Sequence, residues 1–115
     1  MSMLNEIKAL IGSGYNIYIG NLPDAPDDVV GLFHSGGYNP DLSGSCVREP
    51  TFMVKVRNSS YSAGLTVCED ISEKLHGVVH NGNFLLIAQE GDINDLGRDN
   101  NNRQEWSLNF RTYYN

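Results

Sequence analysis

Apolar positions along this chain recur with two different periods, one that indicates helices and one that indicates strands. In residues 3–11, leucine and isoleucine recur at helical spacing, and Gly12 follows as a stop. A second helix is predicted to begin after Ser60, a residue type that caps helix N-termini, and to end at Gly77. Its predicted buried face consists of Tyr61, Leu65, Cys68, Ile71 and Leu75.

Strands are predicted where β-branched and aromatic residues dominate or alternate with polar ones. The predicted strands cover residues 15–19, 29–34, 52–57, 84–89 and 106–111. In the third and the last of these, every second residue is large and apolar, so one face of the sheet is expected to be buried. The residues expected to face outward are Lys55, Arg57, Arg111 and Tyr113.

Polar segments separate these elements. Asn21–Asp28 holds two prolines and three aspartates and is typical of a turn, while Ser35–Glu49 and Gly91–Arg103 are predicted to be long loops. The resulting order, α-β-β-β-α-β-β, predicts a single α+β domain spanning residues 1–115. We expect a mainly antiparallel sheet of about four to five strands, with two helices packed on one face.

The composition excludes several functional classes. The chain has 115 residues and a formal net charge of −6, which argues against a protein that grips a phosphate backbone. Its apolar runs are too short to span a bilayer, and its start lacks the basic segment of a signal peptide. We therefore expect a protein that is made and kept in a cytoplasm.

Few residues are candidates for catalysis or metal binding. His76 and His80 have the four-residue spacing of a helical metal pair, but Gly77 lies between them, which favours ordinary polar histidines. Cys46 and Cys68 match neither a zinc site nor a redox motif, and Cys68 is expected to be a small core residue. The sequence therefore predicts no catalytic residue, no metal site and no cofactor, and indicates a protein that is not an enzyme.

Four segments, taken together and in order, resemble one family. They are NIYIGNLPDAPDDVVGLFHSGGYNPDL after the first helix, EPTFMVKVRNSSYSAG, the helix ending in EKLHG, and FLLIAQEGDINDLGRDNNNRQEWSLNFR. Over almost its whole length the chain resembles the minor capsid and tail-terminator proteins of tailed bacteriophages. The resemblance implies a structural virion component that is assembled in the cytoplasm of a bacterial host.

The resemblance also implies partners. A tail terminator forms a ring, expected to be a hexamer, at the head-proximal end of the tail tube, where it stops tube growth and joins the tail to the head. The expected partners are further copies of the chain, the tail-tube protein and a head-completion or connector protein, with no sequence-specific nucleic acid and no membrane. A head-completion or connector protein is itself the main alternative function, and a small cytoplasmic binding module is a further one.

Contact surfaces in such a ring are expected on the sheet edges and the long loops. Apolar residues placed among polar ones give the candidate interface: Tyr38, Pro40, Asp41 and Leu42 in the first loop, and Ile93, Leu96, Arg98 and Arg103 in the second. A separate hypothesis places Asp92, Asp95 and Asp99 on the lumen of the ring, where their charge would repel passing DNA.

Overall fold

The computed structural model describes residues 3–37 and 48–114. Their elements are, in chain order, helix α1 (Met3–Ile11), strands β1 (Ile17–Ile19), β2 (Val29–Gly37) and β3 (Pro50–Asn58), helix α2 (Tyr61–Leu75), and strands β4 (Val79–Asn81), β5 (Phe84–Arg98) and β6 (Gln104–Tyr114). The strands form one sheet in the order β1-β2-β3-β6-β5-β4, with β1 and β2 parallel and the other neighbours antiparallel. The predicted α+β class is confirmed, and β4 is an additional short strand that the sequence pattern did not indicate.

The hydrophobic core lies between the two helices and one face of the sheet. At its centre, Val54 of β3 pairs with Leu32 of β2 and with Leu108 of β6, and all three are fully buried. On the same face, the rings of Phe52 and Phe110 stack with their centroids 5.0 Å apart. The helices add Leu4, Ile7 and Ile11 from α1, and Cys68, Ile71 and Leu75 from α2. The predicted buried strand face and the packing of both helices against it are confirmed.

Helix α2 begins and ends where its local sequence predicts. Ser60 is the N-cap, and its hydroxyl accepts a hydrogen bond from the backbone N–H of Ala63. The last helical residue is Leu75, and Gly77 follows with a φ of 85°, a left-handed conformation that suits glycine. The expectation that Tyr61 is buried is wrong. It is the first residue of the helix, and it is 47% exposed.

The segment Gly91–Arg103 is not the long loop that the sequence indicated. Strand β5 continues through it to Arg98 before the turn into β6. Two register shifts after Glu90 interrupt its pairing with β6, so the regular alternation that marks a strand in a sequence is lost. Strand β2 likewise continues to Gly37, past the predicted start of the first loop at Ser35.

The face of the sheet opposite the helices is partly covered by the loop of residues 20–28. Val29 and Arg57 are paired on this face, and they are only 2% and 3% exposed. The expectation that Arg57 faces solvent is therefore wrong, because this loop lies over its side chain and binds it. Lys55 and Tyr113, elsewhere on the same face, are half-buried.

Cys68 is confirmed as a core residue. It is fully buried, and burial raises the pKa of its thiol to about 12. The thiol therefore stays protonated and unreactive near neutral pH. Within residues 3–37 and 48–114, no helix is long and apolar enough to cross a membrane.

Candidate functional site

Three connecting segments meet at one end of the sheet. Asn58, the last residue of β3, pairs with Gln104, the first residue of β6. The side chain of Asp28 accepts a hydrogen bond of 3.0 Å from the backbone N–H of Ser59, which joins the loop before β2 to the turn after β3. We call these three segments the turn end: residues 23–28, 59–60 and 99–103.

Arg103 is the centre of the turn end. Its side chain is only 7% exposed, and its guanidinium donates to carboxylate oxygens of Asp99 at 2.9 Å, Asp24 at 2.8 Å and Asp27 at 3.2 Å. It also donates to the backbone carbonyl of Asp24 at 2.6 Å. The hydrogen bond with Asp99, followed by that with Asp24, raises the pKa of Arg103 above its already high usual value. The guanidinium is therefore a permanent cation that fixes three acidic side chains.

Arg57 binds the loop of residues 20–28 through the backbone carbonyls of that loop. Its guanidinium donates to the backbone carbonyls of Pro23 at 2.5 Å, Pro26 at 2.7 Å and Asp27 at 3.1 Å. A proline-rich loop has few backbone donors of its own, so its carbonyls need donors from elsewhere. The two arginines together hold the loop of residues 20–28 against the sheet.

The structure places the four predicted contacts of the second loop on one hairpin, formed by β5 and β6. Ile93 is half-buried against the core, whereas Leu96 is 49% exposed. Arg98 is exposed, and its guanidinium donates to the carbonyl of Asn102 at 2.8 Å. Arg103 is buried, so its direct effect is on the shape of the turn end. Their role in an interface stays a prediction.

The predicted contacts of the first loop are in a segment outside the described residues. They are Tyr38, Pro40, Asp41 and Leu42. Cys46 lies in the same segment. Their role in an interface also stays a prediction.

The acidic residues of the hairpin are held in different ways. Asp95 accepts hydrogen bonds from the backbone N–H of Gly97 at 2.8 Å, from Gln104 Nε2 at 2.5 Å and from the Tyr61 hydroxyl at 3.2 Å. These bonds, that from Gly97 first, lower the pKa of Asp95. The pKa of Asp99 is lowered in the same way, first by the backbone N–H of Arg103. Both groups are therefore firmly ionised at neutral pH, and their position on a lumen stays a prediction.

The free edge of β5 is poorly suited to pairing with another strand. His76 Nδ1 accepts the outward N–H of Gln89 at 2.9 Å, which closes the edge at that point. Beyond it, the N–H of Ile93 bonds to the side chain of Asp92 at 2.7 Å. The N–H of Gly97 is likewise bonded to a side chain of the same strand. Bulges and self-satisfied backbone groups are known protections against edge-to-edge pairing.

In the part of the chain that the structure describes, no cluster of three or more histidine, cysteine, aspartate or glutamate side chains is arranged to hold a metal ion. The acidic side chains around Arg103 are occupied by its guanidinium. The turn end is thus a polar surface whose acidic side chains are held by ion pairs with Arg103.

Comparison with known families identifies the chain. The family model described as bacteriophage tail terminator protein matches residues 5–115. The chain belongs to the bacteriophage tail terminator family. A search of curated proteins finds no match. Membership of this family assigns the chain a structural role in the phage tail, as a component of the virion that interacts with other tail or head proteins.

Sequence reasoning missed several residues that shape the surface of this tail-terminator family member. Asp24 and Asp27 were interpreted as turn formers, and Arg57 as a solvent-exposed residue. Their real partners lie far along the chain: 79 residues separate Asp24 from Arg103, and 30 separate Arg57 from Asp27. A local pattern gives no signal for such pairs. Only the composition of the loop could have indicated these contacts. The loop contains carboxylates and backbone carbonyls, and these are the partners that a buried arginine needs.

Proposed function

We propose that the protein is the tail terminator of a tailed bacteriophage, which closes the head-proximal end of the tail tube, stops tube growth and joins the tail to the head. The observation that carries this proposal is the match to the tail terminator family over residues 5–115. This match favours the tail side of the joint over a head-completion role. The partners are the tail-tube protein and a head-completion or connector protein, and assembly takes place in the cytoplasm of the bacterial host.

The active form is proposed to be a closed ring, a hexamer. A ring requires a heterologous contact, in which one surface of a subunit meets a different surface of the next. The two edges of this sheet are formed by different strands, so they can serve as the two different surfaces of such a contact. One edge is the short parallel strand β1, and the other is formed by β5 and the three-residue β4.

The turn end supports the proposal by presenting a preformed acidic surface. Asp24 and Asp27 are mainly exposed, with side-chain exposures of 84% and 67%, while their position is fixed by Arg103. Fixed side chains lose less conformational entropy when a partner binds. Asp92, Asp95 and Asp99 would add negative charge at a lumen and keep passing DNA from binding.

Light scattering of the purified protein over a concentration series, with electron microscopy of any large species, tests the ring. Rings with an open centre, formed alone or on added tail tubes, are the expected result. Tail tubes polymerised with the protein should be capped at one end and stop growing. Tubes that remain uncapped and continue to grow would contradict the terminator function.

A further inference from the structure

A cavity of about 280 Å³ lies beside the start of β2 and the end of β3, between α2 and the segment that joins α1 to β1, and Val29 and Arg57 line it as well. Its apolar walls include Val30, Val56 and Val67. Asn16 and Asp28 also line it, and both are exposed, so they stand at its mouth. Pockets for drug-sized ligands measure about 300–1,000 Å³. This one lies just below that range and has room for a single protruding side chain.

Leu96 protrudes from the opposite edge of the sheet. It is 49% exposed. Asp95 pairs with Trp106 and Gly97 pairs with Glu105, so Leu96 is the extra residue of a β-bulge. Bulges redirect side chains. Because β4 pairs with β5 only near its start, β5 forms the edge of the described sheet at this point.

The cavity and Leu96 lie at the same height along the strands. Val30 pairs with Val56. Val56 pairs with Trp106, which in turn pairs with Asp95, the residue before Leu96. This row crosses the sheet from the cavity to the β5 edge. In a ring whose strands run along the axis, rotation preserves height, so Leu96 of one copy comes level with the cavity of the next.

We propose, resting on the ring assembly proposed above, that the strands run along the ring axis and that Leu96 of each copy inserts into this cavity of the next copy. Arg98, an exposed cation on the same strand, is complementary in charge to Asp28 at the cavity mouth. Insertion of a side chain also suits this edge, because the backbone N–H groups of Gln89, Ile93 and Gly97 are already bonded to side chains. The occupant of the cavity is thus a second copy of this chain, and the contact is heterologous.

Two complementary variants test this contact in the full-length protein. Leu96→Asp removes the inserted side chain but keeps the cavity, and Val67→Trp fills the cavity but keeps Leu96. Each variant alone should need at least about tenfold higher concentration to assemble. An equal mixture should stop at one-to-one heterodimers, because one intact contact can form and a second cannot. Ala9→Asp, at an exposed position of α1 that lies on neither sheet edge and does not line the cavity, is the control and should assemble normally.

The outcomes separate this contact from the ring itself. If the wild-type protein and both variants all form normal rings, the proposed Leu96 contact is wrong, whereas the proposed ring assembly is supported. Heterodimers from the mixture would establish the contact. A wild-type protein that forms no ring, alone or on tail tubes, would overturn the proposed function and the contact with it.

Covalent crosslinking provides a second test that does not depend on the folding of Val67→Trp. Ser13, at the cavity, and Leu96 are both replaced by cysteine in a Cys46→Ser chain, in which the buried Cys68 is retained. With a short bis-maleimide and purified tail tubes, a ladder of covalent oligomers is expected. Either cysteine alone should give no ladder, and Glu73→Cys in place of Ser13→Cys is the distance control. Rings seen by microscopy without a ladder would overturn the contact.

Discussion

Arg103 and Asp24 form a salt bridge of 2.8 Å although 79 residues separate them along the chain. Arg103 directly precedes β6, and Asp24 lies in the loop that covers the sheet. Their contact therefore joins the last segment of the turn end to the first. A surface built in this way keeps its shape before a partner arrives, which reduces the entropy lost on binding.

Arg57 should contribute strongly to stability, because its buried side chain donates three hydrogen bonds to backbone carbonyls. Arg57→Met keeps an apolar stem but removes every donor, and we expect the free energy of unfolding to fall by about 2–4 kcal/mol. Urea denaturation measures this loss. Lys55→Met, on the same face of the same strand, is the matched control and should change stability by less than about 1 kcal/mol. Equal losses in the two variants would show that the carbonyl contacts are not the source.

The salt bridges of Arg103 should act as one unit. Arg103→Gln is expected to lower the melting temperature clearly. Asp24→Asn should lower it less, because a side chain that is 84% exposed is easily rehydrated. The double variant should lose less than the sum of the two single losses, since both changes break the same contact. Differential scanning calorimetry measures all three, and strictly additive losses would contradict the coupling.

Much of the fold could be predicted because its signals are local. The alternation of Phe52, Val54 and Val56 specifies which face of β3 is buried, and the structure bears this out. Ser60 and Gly77 likewise specify the limits of α2 through capping and left-handed geometry. These features depend on residues within one or two turns of each other, so a single sequence contains them.

The features that could not be predicted depend on contacts between distant parts of the chain, and a single sequence does not reveal such contacts. The distal half of β5 has polar residues on both faces and bulges in its ladder, so it lacks the strand period. Arg57 has the pattern of a solvent-facing residue, and its burial comes from a loop 30 residues earlier. Of the candidate contacts, Leu96 was placed in a loop by sequence. Its exposure at a bulge emerges only from the pairing with β6.

Gly64 allows α2 to approach the sheet closely. A Cβ at this position would lie 2.7 Å from Trp106 Nε1 and 3.1 Å from the Cβ of Asn58. Gly64→Ala gains about 1 kcal/mol of helix propensity, but overpacking typically costs about 1–3 kcal/mol. We expect a net loss of stability in urea denaturation. The control Ala63→Gly, at an exposed neighbouring position, should lose about 1 kcal/mol from propensity alone, and a more stable Gly64→Ala protein would contradict the packing argument.

The pair Tyr15 and Asp70 should make stability depend on pH at both extremes. The Tyr15 hydroxyl donates to Asp70 at 2.5 Å, and Lys74 lies 3.0 Å from the same carboxylate oxygen. The hydrogen bond to Asp70 raises the pKa of Tyr15 to about 12, and the same bond, followed by that from Lys74, lowers the pKa of Asp70. A raised tyrosine pKa adds stability that is complete below about pH 10 and is lost as the pH rises to about 12. A lowered aspartate pKa adds stability that is present above about pH 4 and is lost as the pH falls further.

Tyr15→Phe should therefore flatten the alkaline part of the stability profile. Between about pH 10 and pH 12 the wild-type protein is expected to lose stability more steeply than the variant, because the variant has no hydroxyl to ionise at this position. Urea denaturation at half-unit pH steps measures both slopes. Tyr18→Phe, which removes the hydroxyl of a different half-buried tyrosine, is the control and should retain this part of the wild-type slope. If Tyr15→Phe and Tyr18→Phe have the same alkaline slope, the hydrogen bond to Asp70 is not what links stability to pH.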